Sequence, residues 1–339
     1  MNFDFTDDQQ AIKRTANELL AARFKPERVR ELAEAGSHDE DAWKEMSELG
    51  WAGIFIDDDH GGQGLGIVEL VILMEELGYA LAPVPFLANA AAGLALQFAG
   101  TDEQKERWLP GIASGEARGT VGVLRNGEAR LVPDADSAEV IVLIAADGSS
   151  SVVEASAAEV EPFETMDRTR RFARVRADGG EPLGGDQLAA ADRIATALSA
   201  ETVGVAQKAM EMAVEYARDR KQFGRPIGSY QAVSHRCAQM LLEVEGSRSA
   251  AYYAGWCADA EPDSLAEAAS MAKAYSSDAG WRVCGSSLQV HGGIGFTWEH
   301  DLHFYLKRAK TNAMLFGSAR EHRERVAELA LAAPAPVAA

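Results

Sequence analysis

The sequence predicts a mainly α chain with a small β-domain set between two helical parts, and the prediction rests on three observations. Helical periodicity fills the first third and the last half of the chain. Short segments rich in Val, Ile or alternating residues, separated by Gly and Asp, fill the stretch between. The 339 residues, 47% of them hydrophobic, are enough to bury a core without disulfide help.

Residues 1–118 read as an N-terminal helical domain. Thr6 with Gln9, and Thr101 with Gln104, have capping-box spacing, in which side chain and backbone satisfy each other's orphan groups at a helix start. Between them, Leu70, Val71, Leu73, Met74 and Leu77 form one apolar face of a helix that Gly78 is expected to end, and residues 51–56 are a short buried run. Residues 119–185 read as a reduced antiparallel β-domain, with strands expected at 119–124, 138–146, 150–155 and 172–177. Residues 186–331 read as a four-helix bundle. Its first helix carries the stripe Ala206, Ala209, Met210, Ala213, Val214 and Ala217, and the second is expected over 230–258. Ser264 and Glu267 have capping-box spacing ahead of the third, whose Leu265, Ala268, Ala272, Tyr275 and Ala279 make a close-packing face. The fourth is expected over 303–325, and residues 332–339, with Pro334 and Pro336, as a disordered tail.

Thirty-three Lys and Arg against 52 Asp and Glu give a net charge of −19, which phosphate backbones and anionic membranes repel. Nucleic-acid and membrane partners are therefore not expected. No apolar run approaches the roughly 20 residues of a membrane span, and residues 1–10, with Asp4, Asp7 and Asp8, show no secretory pattern, so the expected location is the cytoplasm. Cys237, Cys257 and Cys284 include no close pair and read as reduced core residues. Gly61, Gly62, Gly64 and Gly66 lack the spacing of a dinucleotide fingerprint, and His300 and His303, near His291, lack a third ligand at metal spacing. No metal is expected.

Two segments exceed what a bland loop needs. Arg220, Lys221, Gln222, Phe223, Gly224, Arg225 and Pro226, with Tyr230 and Gln231, join two long helices through a turn crowded with cations and amides. Gln289, His291, Gly292 and Gly293 end the next helix, and the two glycines allow a backbone to approach a flat or phosphate-bearing ligand. Residue pattern alone leaves each segment as either a site or a tight turn.

Four stretches resemble the flavin-dependent acyl-CoA dehydrogenases, in the family's order. "LGWAGIFIDDDHGGQGLGIVELVILMEELG" is similar to its N-terminal helix pair and "GTDEQKERWLPGIASGE" to the approach to its β-domain. "RKQFGRPIGSYQAV" and "QVHGGIGFTWEHDLHFYLKRAK" resemble the two flavin-contacting segments of its C-terminal bundle. The resemblance implies FAD as cofactor, shared across a subunit interface. It assigns Arg220 to the pyrophosphate, Gln222, Phe223 and Gln231 to the same cofactor, and Gln289, His291, Gly292 and Gly293 to its adenine end. It further implies an acyl-CoA substrate and an electron-transferring flavoprotein as acceptor.

The chain departs from that family where the chemistry occurs. A carboxylate must take the α-proton while the β-hydride leaves for the flavin, and it must lie within hydrogen-bond reach. At the family's two positions for this base the chain carries Phe316 and Ile194, and neither side chain accepts a proton. Asp192 and Glu201 are near in sequence, but at about 100° per residue Asp192 points about 200° from Ile194, and Glu201 lies nearly two turns on. The Thr-Glu-Pro and Gly-Ser-Asp run that wraps the flavin is also absent, "VGVLRNGEARLVP" standing in its place. The resemblance narrows to the paired dehydrogenases of actinobacterial steroid breakdown, whose short subunit lacks the base. The expectation is a subunit inactive alone that supplies the ADP half of the FAD site to a catalytic partner in an α2β2 heterotetramer. The alternatives are a homotetrameric dehydrogenase with an unusual base, and a non-redox acyl-CoA-binding or scaffold subunit.

Overall fold

The computed structural model describes residues 4–332. The expected tail lies outside the described residues except for Ala332, which closes the last helix. Six helices come first: α1 (Asp7–Arg23), α2 (Pro26–Ala35), α3 (Glu40–Glu48), α4 (Ile67–Ala80), α5 (Phe86–Ala99) and α6 (Asp102–Ser114). Both capping boxes form. The Thr6 and Thr101 hydroxyls accept the amides of Gln9 and Gln104 at 3.2 and 3.3 Å, and each Gln side chain accepts the cap amide in return at 3.0 Å.

Gly78 does not end its helix. Helix α4 runs on to Ala80 and closes on Leu81 in a left-handed conformation. The glycine serves a crossing instead, because a Cβ at Gly78 would lie 2.0 Å from the carbonyl oxygen of Glu201, and one at Gly204 would lie 1.9 Å from that of Glu75. The backbones of α4 and α7 (Gln187–Asp219) therefore touch.

The sheet has seven strands: β1 (Gly119–Arg125), β2 (Glu128–Pro133), β3 (Val140–Ile144), β4 (Ser150–Glu154), β5 (Glu159–Phe163), β6 (Phe172–Arg176) and β7 (Glu181–Pro182), in the order β5-β6-β2-β1-β3-β4-β7. All pairs are antiparallel but one: β1 and β3 run parallel, so the sheet is mixed rather than purely antiparallel. The four strands expected from sequence are present. β2, β5 and β7 are additional; β5 is a mostly exposed edge strand carrying Pro162, with no apolar alternation to reveal it.

After α7 come a two-residue hairpin, β8 (Lys221–Gln222) and β9 (Arg225–Pro226), then α8 (Gln231–Ala260) and α9 (Leu265–His291). The capping box expected at Ser264 is not made. Ser264 is helical and closes a 3-10 turn that runs straight into α9, so no orphan amide faces its hydroxyl. The fourth helix is broken into α10 (Leu302–Asn312) and α11 (Ala319–Ala332). Phe316 and Gly317 take positive φ of 54° and 96° in the break, and Ser318 with Glu321 caps the restart. No helix among the described residues is long and apolar enough to cross a membrane.

The α4–α7 crossing yields a paired test. Gly204→Ala forces a methyl into the Glu75 carbonyl and is expected to cost about 1–3 kcal/mol in urea unfolding. Gly285→Ala, also in a helix but with open space around it, is expected to stabilise by up to about 1 kcal/mol.

Candidate functional site

Both flavin-like segments lie at one end of the bundle. Tyr216, one turn before Arg220 on α7, stacks on His291 of α9 with ring centroids 4.7 Å apart. The β8–β9 hairpin turns through Phe223 and Gly224, both at positive φ (50° and 82°), the geometry of a two-residue reverse turn. Phe223 is 92% exposed in this left-handed conformation, a cost that its 6.5 Å edge contact with Tyr230 does little to offset. The Tyr230 hydroxyl donates to the Gln222 carbonyl at 3.1 Å, and the Arg225 guanidinium lies 4.1 Å over the Tyr230 ring. Arg225 is thus engaged. The Arg220 guanidinium is exposed and has no ion pair or hydrogen bond with any described residue, although the chain carries 52 acidic side chains.

Gln222 and Gln231 are exposed beside it, and Gln289 is exposed on α9. His291 is turned inward. The residue is 3% exposed and its Nδ1–H donates to the Ser287 carbonyl at 2.8 Å, which leaves Nε2 as its one nitrogen without a hydrogen-bond partner among the described residues. Burial also lowers its pKa and keeps it neutral. Gly292, at φ 63°, and Gly293 remain open: a Cβ at either position would meet nothing within 4 Å. A free Arg, three exposed amide side chains and bare glycine backbone make a surface that suits a flat, dianionic ligand.

The two base positions also converge. Phe316 and Ile194 line the same cleft of about 400 Å³. Asp192 lines it too, because 200° round a helix one way is about 160° the other, and Ala191 between them faces the cavity. The Asp192 carboxylate is held on both oxygens by Arg325, Nη2 to Oδ2 being 2.9 Å. Glu321, at the cleft edge, accepts the Ser318 amide at 2.6 Å as a helix cap and pairs with Arg125 at 3.3 Å. These contacts, the Ser318 hydrogen bonds foremost, hold its pKa below the ordinary carboxylate range. Both carboxylates are committed as structural partners.

A buried ion cluster, which periodicity and motif reading did not find, joins the loop before β6 to α7 and α10. Arg308 of α10, 1% exposed, donates to Asp167 at 3.0 Å, to Glu201 at 2.6 Å, and to the carbonyl and hydroxyl of Thr169 at 2.7 Å. Arg170 donates to Glu201 at 2.6 Å and to the Asn312 side chain at 3.1 Å, and Asn312 donates back to Glu201 at 3.2 Å. Burial alone would raise the Glu201 carboxyl, but the two guanidinium groups outweigh it and hold the pKa down. Glu201 is therefore a charge anchor, with both oxygens occupied. Lys273 of α9, 1% exposed, donates to Ser277 Oγ at 2.9 Å and to the Asn312 carbonyl at 3.0 Å, and burial pulls its pKa down to about 7. A signal was available: Lys273 falls on the buried stripe between Ala269 and Ser277, and Arg308 beside Ala309 follows Tyr305 at helical spacing.

A family model for the acyl-CoA dehydrogenase N-terminal domain matches residues 6–116, and one for the acyl-CoA dehydrogenase C-terminal domain matches residues 190–331. The chain belongs to the acyl-CoA dehydrogenase family. Acyl-CoA dehydrogenase IpdE2 of Mycolicibacterium smegmatis is 34% identical, over 95% of this chain and 98% of its own length. Among solved structures, the ChsE4-ChsE5 complex from Mycobacterium tuberculosis superposes with a TM-score of 0.90 at 26% identity, covering 99% of this chain and 100% of the matched one. A variant of the Tcur3481-Tcur3483 steroid ACAD gives 0.86 at 28% identity, covering 96% and 98%.

Arg308→Met would leave buried Asp167 without a cation and Glu201 with Arg170 alone, and is expected to cost about 3–5 kcal/mol in chemical denaturation. The Glu201 contribution should be present above about pH 4.3, its unfolded value, and disappear as pH falls through the lower folded value. Lys273 has the opposite bearing. Below pH 7 both states hold its proton and the folded state bears the full burial cost; between 7 and about 10.4 the unfolded state binds more protons. Wild-type stability should therefore rise relative to Lys273→Met across that window, by up to about 1.4 kcal/mol per pH unit, and a flat difference would contradict it.

Proposed function

We propose that this chain is the base-less subunit of a flavin-dependent acyl-CoA dehydrogenase that desaturates the α,β-bond of a bulky CoA thioester in the cytoplasm. It works in an α2β2 heterotetramer with a catalytic partner. The observation that carries this reading is an asymmetry within one chain. Arg220 is exposed and unpaired among the described residues and Gln222, Gln231 and Gln289 are exposed beside it, whereas Phe316 and Ile194, at the positions of the base, bring apolar side chains to one cleft. When bound, FAD accepts the β-hydride and passes electrons on, in this family usually to an electron-transferring flavoprotein.

This chain's own part is binding. Arg220 supplies a fixed charge to the pyrophosphate, against the repulsion of a −19 molecule. Gln222, Gln231 and Gln289 offer amide donors and acceptors, Phe223 offers a ring face, and the backbone at Gly292 and Gly293 admits the ligand closely. The α-proton goes to a carboxylate of the partner, because Asp192, Glu201 and Glu321 are each held by arginines or a helix terminus. The reading that makes this chain a homotetrameric dehydrogenase finds no free carboxylate at the cleft, and a non-redox scaffold gives no reason for a free Arg220 beside bare glycines.

The test is to co-express the chain with an acyl-CoA dehydrogenase partner that carries the base and count FAD per pair of subunits. One FAD per pair is expected. Arg220→Ala should weaken FAD retention about tenfold or more, by the loss of one charge-assisted contact, while assembly by size-exclusion chromatography persists. Unchanged flavin content in the variant would contradict the assignment.

A further inference from the structure

The 400 Å³ cleft is not isolated. A second cleft of about 640 Å³ opens between β1–β2 and the break that separates α10 from α11. Val123, Arg125, Phe316, Gly317 and Glu321 line both. Phe316 is the largest apolar side chain among the five, and it packs half-buried against the main core. Both spaces mix apolar walls with charges. The larger one carries Glu128, Arg130, Asp278 and Lys310 beside Val121, Leu131, Met314 and Leu315; the smaller carries Asp192, His322 and Arg325 beside Leu124, Ile144, Ile194 and alanines.

We propose that Phe316 is a fixed partition that divides what would otherwise be one chamber. It thereby keeps this chain from assembling a flavin-and-thioester site of its own. The inference rests on the subunit reading above and goes further, because it assigns the exclusion to one side chain and to the backbone that holds it. A ligand with a flat polar head and an apolar tail can enter either space but cannot span both.

Backbone geometry makes Phe316 a wall rather than a swinging gate. Phenylalanine rarely occupies positive φ, so the conformation at 54° must be imposed by its surroundings. Anchors lie on both sides. The Phe316 carbonyl accepts a hydrogen bond from His322 Nε2 at 3.0 Å, and His322 is itself buried. Because a carbonyl only accepts, that nitrogen carries the ring proton; burial lowers the His322 pKa and keeps the ring neutral in this role. Gly317, at φ 96°, cannot be replaced without moving the latch, since a Cβ there would lie 2.7 Å from His322 Nε2. On the other side Leu315 is 4% exposed, and Asn312 is held by Lys273, Arg170, Glu201 and Thr202. The turn has little freedom to swing the ring aside.

The probe is lumiflavin, the isoalloxazine ring without its ADP tail, added to the full chain purified without a partner and followed by fluorescence quenching. Wild type is expected to bind it weakly. Phe316→Ala should join the two spaces and gain one lumiflavin site per chain, at least about tenfold tighter than wild type. Phe316→Val, should the alanine variant not fold, should gain a smaller increment in the same direction, and Met166→Ala, an exposed change far along the chain, should gain none. Folded Phe316 variants that bind lumiflavin no better than wild type would overturn the proposal. So would a wild-type chain that already takes one lumiflavin tightly. Failure of the subunit reading would be seen separately, as FAD retained by the purified chain before any probe is added.

Discussion

The structure turns on the buried set of charges formed by Arg170, Glu201, Arg308 and Asp167. Two guanidinium groups and two carboxylates are removed from water together, and such a set is tolerated only when every oxygen and most N–H groups are satisfied. Here both Glu201 oxygens and both Asp167 oxygens are occupied. The partners come from three places in the sequence, the loop before β6 and the interiors of α7 and α10, so the set ties the sheet to the bundle. It also explains why a carboxylate deep in the bundle is not a catalytic one. Taking Glu201 out of the set to accept a proton from a substrate would leave buried Arg170 without a counter-charge and Arg308 with Asp167 alone.

The cluster reaches the break between α10 and α11 through Asn312. This residue ends α10, presents its carbonyl to Lys273, and fixes where the helix stops. Beyond it the chain turns through Phe316 and Gly317 and restarts at the Ser318–Glu321 cap. The buried charges thus set the position of the turn, and the turn sets the position of the aromatic ring between the two clefts. Among the described residues, no such clamp holds Arg220. With Gln222, Gln231 and Gly293 it is left exposed, as residues intended for a ligand or another subunit would be.

Much of the layout could be read from the sequence, because it follows from periodicity and capping chemistry that act locally. The Thr6 and Thr101 boxes and the stripe on α7 are of this kind. The misreadings share a cause, since each depends on what lies across space. Gly78 reads as a stop but serves a backbone crossing with α7. Ser264 reads as a cap but is preceded by a 3-10 turn. The helix expected over 303–325 breaks because Gly317 and a new cap outweigh continued periodicity. Of the candidate site, residue type marks the two segments at Arg220 and at Gly292, and the resemblance marks Phe316 and Ile194. The ion cluster is legible only in the helical spacing of Lys273 and Arg308, because which acids meet them depends on contacts across the chain.

On the proposed reading this chain carries one face of an FAD site and lacks the other. Native mass spectrometry of the chain purified alone, titrated with FAD and then supplied with an acyl-CoA, is the sharpest test. No flavin should be retained in any oligomeric state, and added FAD should not be bleached. A homo-oligomer that keeps one flavin per chain and is reduced by a CoA thioester would contradict it.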